Sequence, residues 1–115
     1  MDAETEYQII IDAILRKGTG YLIWKGSIRE RLVKETGMSL RVFEEYIRSC
    51  LRGGNKLHQK PEERDDWKDH YDFMYWMILP LFDRFKKGYF VEFRCEDDEP
   101  DSPVVMIVSG HEQIG

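Results

Sequence analysis

The chain is poor in the residues that staple or punctuate small proteins. Only two of its 115 residues are cysteine, Cys50 and Cys95, and they form no CxxC pair. A disulfide framework and a Cys-based zinc site are therefore excluded, and the thiols read as small buried groups of a reducing compartment. No apolar run approaches the ~18 residues of a membrane span; the most hydrophobic stretch, 73–82, is short and broken by Pro80. The N-terminus carries no signal-peptide pattern, so a cytoplasmic location and no membrane partner are expected. Also missing are a phosphate-binding glycine loop, an HExxH helix, a nucleophile elbow and the glycine and final glutamate of a calcium-binding loop. Nucleotide hydrolases, zincins and serine hydrolases are disfavoured accordingly. A metal site from His58, Asp69 and His70 has no diagnostic spacing, and no metal or cofactor is expected.

What is present is an α+β pattern of one-domain length. Two or three N-terminal helices over 1–54 are expected to pack on a C-terminal antiparallel sheet over 73–115, with a polar basic loop at 55–72 between them. From Glu4 to Lys17, Tyr7, Ile10, Ile11, Ile14 and Leu15 recur at helical spacing, and Gly18 follows as a stop. Tyr21 to Trp24 fits a short strand or a turn. Ser27 with Glu30 reads as a capping box for a second helix ending at Gly37. Ser39 caps a third helix from Leu40 to about Leu51, with Met38 and Phe43 spaced as a hydrophobic staple. The pair has helix-turn-helix spacing, although Glu44 and Glu45 on its exposed face would oppose phosphates. Residues 71–85 fit a helix or a strand, because apolar side chains occupy both periods.

The clearest sheet signal is Gly88 to His111. Tyr89, Val91, Phe93 and Cys95 alternate with Phe90, Glu92 and Arg94, an acidic turn of five carboxylates spans Glu96 to Asp101, and Val104 to Val108 is apolar without alternation. The first run predicts a strand with one face more buried, the second a central strand covered on both faces.

Net charge is −5, unevenly spread: residues 25–60 carry +5 and residues 89–115 carry −6. A nucleic-acid backbone, if bound, should meet the basic middle. Lys56, His58, Lys60, Lys68, His70, Tyr89 and His111 are the groups suited to metal-independent RNA cleavage. That reaction needs a base for the 2′-hydroxyl, cations for the phosphorane and an acid for the leaving 5′-oxygen. Arg48, Arg52, Lys60 and Arg64 are the candidate RNA-binding cations.

The run Trp67-Lys68-Asp69-His70-Tyr71, followed by Gly88-Tyr-Phe-Val-Glu-Phe and Val104-Val-Met-Ile-Val-Ser-Gly-His, resembles the MqsR-type branch of the RelE-like messenger-RNA interferase toxins. The resemblance covers roughly residues 37–113 and implies a small endoribonuclease neutralised by an antitoxin protein. Carried over singly, it implies Lys56 or Lys60, Lys68, Tyr89 and His111 as site residues; on the cleavage reading itself Lys56, Arg64 and Lys68 would hold phosphate, with His70 or His111 as acid or base and Tyr89 nearby. Lys68 stands where that family usually has glutamine and His111 where it has lysine. The alternative reading of the same residues is a non-catalytic protein- or nucleic-acid-binding regulatory or inhibitor module.

Overall fold

The computed structural model describes residues 2–16 and 21–114, and the architecture is α+β, with three helices preceding most of a five-stranded sheet. Helix α1 (Ala3–Leu15) starts where the Asp2 side chain accepts from Thr5 N at 2.9 Å, satisfying one of the first-turn donors. The helix ends at Leu15, earlier than expected, with Arg16 in extended conformation as its C-cap; Lys17 and the stop at Gly18 lie outside the described residues. Helix α2 (Arg29–Thr36) does not begin on a Ser27 capping box. Gly26–Ile28 winds into a 3₁₀ turn that feeds the helix directly, so Ile28 occupies the N-cap and no side chain caps it. Gly37, at φ 71°, takes the left-handed conformation that closes α2. Helix α3 (Leu40–Arg52) is capped as its sequence predicts, Ser39 accepting from Val42 N at 3.2 Å.

The strands are β1 (Leu22–Trp24), β2 (His58–Pro61), β3 (Phe73–Leu79), β4 (Tyr89–Asp97) and β5 (Val104–Glu112), in sheet order β1-β5-β4-β3-β2. β1 runs parallel to β5 and all other neighbours are antiparallel. Two open questions of the sequence are thereby answered: 22–24 is a strand, and 73–79 is a strand rather than a helix. One expectation is corrected. The 55–72 segment is not wholly loop, because His58–Pro61 pairs with β3 as an edge strand.

All three helices lie on one sheet face. Its inward residues are Tyr75, Met77 and Leu79 of β3, Tyr89, Val91 and Phe93 of β4, Val105 and Ile107 of β5, and Leu22, closed by Ile10, Ile14, Leu32, Phe43 and Ile47 from the helices. Phe43 is fully buried against Trp24 and Tyr89, so truncating it to alanine would cost about 3–5 kcal/mol. Gly110 marks where the layers come closest: a Cβ there would lie 3.1 Å from Leu32 and 3.2 Å from the Tyr89 ring. Because period 2 sends every other side chain outward, the even-numbered residues of β3 and β4 face away from the helices.

Candidate functional site

The outward face is divided into two halves. Over one half, residues 62–72 form a strap whose ends are tied by Glu62 N donating to Asp72 O at 3.0 Å. Arg94, outward on β4 and fully buried, anchors it. Its guanidinium pairs with Glu62 and, at 2.7 Å, with Glu92, and it donates to Phe93 O at 2.9 Å. Arg64 reaches Glu92 from the strap at 3.3 Å. Trp67 lies over this cluster, with Arg64, Arg94 and Lys25 at 4.6, 4.9 and 5.4 Å from its ring. Since Lys25 follows β1 and Glu62 follows β2, the strap crosses the sheet from one edge to the other. The cations neutralise the two buried carboxylates, which keeps this half closed rather than leaving negative charge under it.

The other half is open. The cross-strand registers place His58, Trp76, Glu92 and Ser109 in one row across β2–β5, and Ile78, Phe90 and His111 in the next. His58 stacks on Trp76, with centroids 5.0 Å apart and planes 12° from parallel; His111 stacks on Phe90 at 4.8 Å and 22°. Lys60 lies 5.7 Å over the Trp76 ring. Trp76, Ile78 and Phe90 remain half-buried, and Phe82, beside Gly88 at the end of this row, is 61% exposed. Asn55 donates to Ile78 O, and Gln113 N donates to Gly88 O, so the turn that carries Lys86 and Lys87 and the one that carries Lys56 meet at this end of the sheet. All three lysines are exposed. The acidic turn 96–101 sits at the opposite end, beyond the strap.

The residues singled out from sequence are dispersed over the molecule. His111 stands on the open half, with Lys56 at its rim; Lys60, opposite Met74 at the strap's edge, pairs with Glu63 at 3.4 Å and reaches over the Trp76 ring. Lys68, His70 and Arg64 belong to the strap: Lys68 pairs with Asp65 at 3.2 Å, and exposed His70 borders a polar hollow with Glu6, Tyr71 and Asp72. Tyr89 and Arg48 are withdrawn from any ligand. Tyr89 points inward, fully buried, and its hydroxyl donates to Glu35 at 3.0 Å, with burial first and Glu35 second holding its pKa well above the usual phenol range. Arg48 is buried, donates to Ile14 O at 2.8 Å and pairs with Glu45, so it satisfies the carbonyl end of α1. Arg52 is exposed at the end of α3.

His58 and His111 share a face but stand three strands and one row apart, roughly 16 Å at ~4.8 Å per strand and ~3.4 Å per residue. His70 is on the strap, not in either row. A base and an acid must each approach the same phosphate within hydrogen-bond reach, about 3 Å, so these histidines do not form one acid–base pair. Sequence reading missed Trp76, Phe90, Lys86 and Lys87; aromatics default to core, and only the placement of all helices on one face shows that the alternate set is open. Among the described residues no group of three or more His, Cys, Asp or Glu could hold a metal ion, and no helix is long and apolar enough to cross a membrane. No protein-family model, curated protein or solved structure matches this chain.

Proposed function

We propose that the protein binds single-stranded RNA on the open half of its sheet. The observation that carries this reading is the pair of histidine-backed rings, Trp76 and Phe90, left half-exposed on a rigid sheet with Lys56, Lys86 and Lys87 around one end. Unpaired bases stack on exposed aromatic faces for about 1–3 kcal/mol each, and lysines supply the backbone attraction. A duplex offers no base face to such a surface, so its binding should be weak. The −5 net charge does not oppose the ligand at this end, because the densest acidic segment is displaced to the far hairpin tip and Glu92 and Glu62 are neutralised by arginine. The test is fluorescence anisotropy with a labelled mixed-sequence RNA, single-stranded and annealed to its complement. Preferential binding of the single strand, weakened about 5- to 150-fold by Trp76→Ala or Phe90→Ala, is expected. Equal binding of both forms, or no effect of either substitution, would overturn the reading.

A second reading, metal-independent cleavage with an antitoxin as cytoplasmic partner, is favoured by His58. Burial, then Lys56, holds its pKa below the ordinary histidine value, which keeps the imidazole neutral and able to accept a 2′-hydroxyl proton. Lys60, two residues along the same strand face and paired with Glu63 in the free protein, would hold the phosphorane, and the His58 imidazolium would return its proton to the leaving 5′-oxygen. Incubation with RNA in EDTA separates the two readings: cyclic-phosphate ends that vanish in His58→Ala mean cleavage, and intact RNA means binding alone.

A further inference from the structure

We infer that the outward face is self-complementary and that two copies of this chain dimerise through it, the strap of each seated on the open half of the other. The face is divided in height and in charge. One half is raised by the strap, whereas the other is bare sheet. Residues 61–72 hold six carboxylates against two cations, and the hairpin tip beyond them, 96–101, holds five carboxylates and no cation. At the opposite end stand the exposed Lys56, Lys86 and Lys87. Among the described ion pairs none includes these lysines or Asp97, Asp98, Glu99 and Asp101, so each end carries charge that one copy leaves uncompensated.

A two-fold operation joins such a face to itself. Its axis lies in the plane of the face, at right angles to the strands, along the boundary between the halves near Glu92. The second copy is turned over and its strand direction reversed. Each strap then enters the other copy's recess, and the two straps lie side by side in one layer between the sheets. The charges fall in register as well. Gly88, just before β4, and Asp97, its last residue, each lie about 15 Å from the middle of the strand at ~3.4 Å per residue. The axis exchanges them, so Lys86 and Lys87 of one copy meet the acidic tip of the other, twice in the dimer. Trp76, Ile78 and Phe90, half-buried in one copy, and Phe82, 61% exposed, lose their water beneath the second strap. An axis along the strands is disfavoured, because it sets strap on strap and acid on acid. The dimer goes beyond RNA binding and does not rest on it. Both occupants need the open half, so bound RNA and a second copy exclude each other.

The test uses the intact chain. Sedimentation velocity over a range of concentrations should show a monomer–dimer equilibrium at ~0.05 M salt that shifts to monomer at ~1 M, where the Debye length falls to about 3 Å. A carbodiimide, which joins a lysine amine directly to a carboxylate, should link Lys86 or Lys87 to residues 96–101. In a mixture of isotope-labelled and unlabelled protein that link should join a heavy chain to a light one, because within one copy the two ends are about 30 Å apart. The charge-reversed variants Lys86→Glu/Lys87→Glu and Asp97→Lys/Asp98→Lys/Glu99→Lys should each raise the dimer dissociation constant about tenfold or more, since each opposes like charges at both contacts. Mixed together, they should pair with each other and recover most of the lost affinity, because both contacts are then opposite in sign. The cross-link needs no variant, so a variant that fails to fold does not decide the outcome. Wild-type protein that stays monomeric and gives no such link, a dimer indifferent to the reversals, or folded variants that do not recover on mixing would overturn the inference. The first of these outcomes leaves the open half to RNA alone.

Discussion

Replacing Arg94 with methionine probes what closes half of the sheet. The guanidinium is fully buried, and its partner side chains Glu62 and Glu92 are 1% and 4% exposed, so solvent screens none of the three. Arg94→Met leaves Glu62 with no cation and Glu92 with only Arg64. Breaking a buried pair from one side costs about 3–5 kcal/mol, because an uncompensated carboxylate stays behind. For a domain near 100 residues each kcal/mol is roughly 4 °C of Tm, so a fall of about 12–20 °C is expected. The assay is urea denaturation followed by circular dichroism at pH 7. The sharper comparison is the triple variant Arg94→Met, Glu62→Met, Glu92→Met, which removes the charges together and should return to within about 1–2 kcal/mol of wild type. A single variant costing under 1 kcal/mol, or a triple variant as damaged as the single, would refute the argument that mutual neutralisation holds the strap down.

Three further substitutions test separate parts of the account. Glu6 is buried and accepts from Tyr75 OH at 3.0 Å, and burial, opposed by that hydrogen bond, raises its pKa. A raised folded-state pKa stabilises the fold below the unfolded carboxyl range and is lost as pH rises through the folded value. Glu6→Gln should therefore be more stable than wild type at pH 7, with the gap closing below about pH 4, as thermal melts across pH would show. Tyr89→Phe removes the hydrogen bond to Glu35 and should lower stability by about 1 kcal/mol without changing RNA affinity; an affinity change of tenfold would return Tyr89 to the site. Gly88→Ala places a Cβ 2.7 Å from Leu79 O at φ 89°, and a loss of more than about 1 kcal/mol in chemical denaturation is expected.

The contrast between what the sequence disclosed and what it concealed follows from periodicity. Tyr89 to Cys95 was legible because one face is apolar and the other carries Glu92 and Arg94, so alternation survives in composition. Helix α3 was legible from the Ser39 cap and the Met38–Phe43 spacing. Strand β3 was ambiguous for the opposite reason: Tyr75, Met77 and Leu79 face the core, yet Trp76 and Ile78 on the open face are apolar too, which erases the period-2 signal. Strand β2 was hidden because its residues are polar on both sides. Gln59 faces inward and is satisfied by donating to Ala3 O and Tyr75 OH, a tertiary arrangement that no local pattern announces. The site was partly legible through Lys56, Lys60 and His111. Their aromatic partners were not, since a Trp or Phe in a strand is assigned to the core until the covering layer is known. Tyr89 shows the converse, a site candidate whose position in the alternation already put it on the core side.

The most direct measurement of the central claim is amide chemical-shift mapping of the isotope-labelled protein during titration with a short single-stranded RNA. Shifts concentrated at residues 56–60, 76–78, 86–92 and 109–112, with the exposed surfaces of α2 and α3 unchanged, are the predicted result. Shifts confined to the helices, or none at millimolar RNA, would contradict the assignment of the open sheet face as the binding surface.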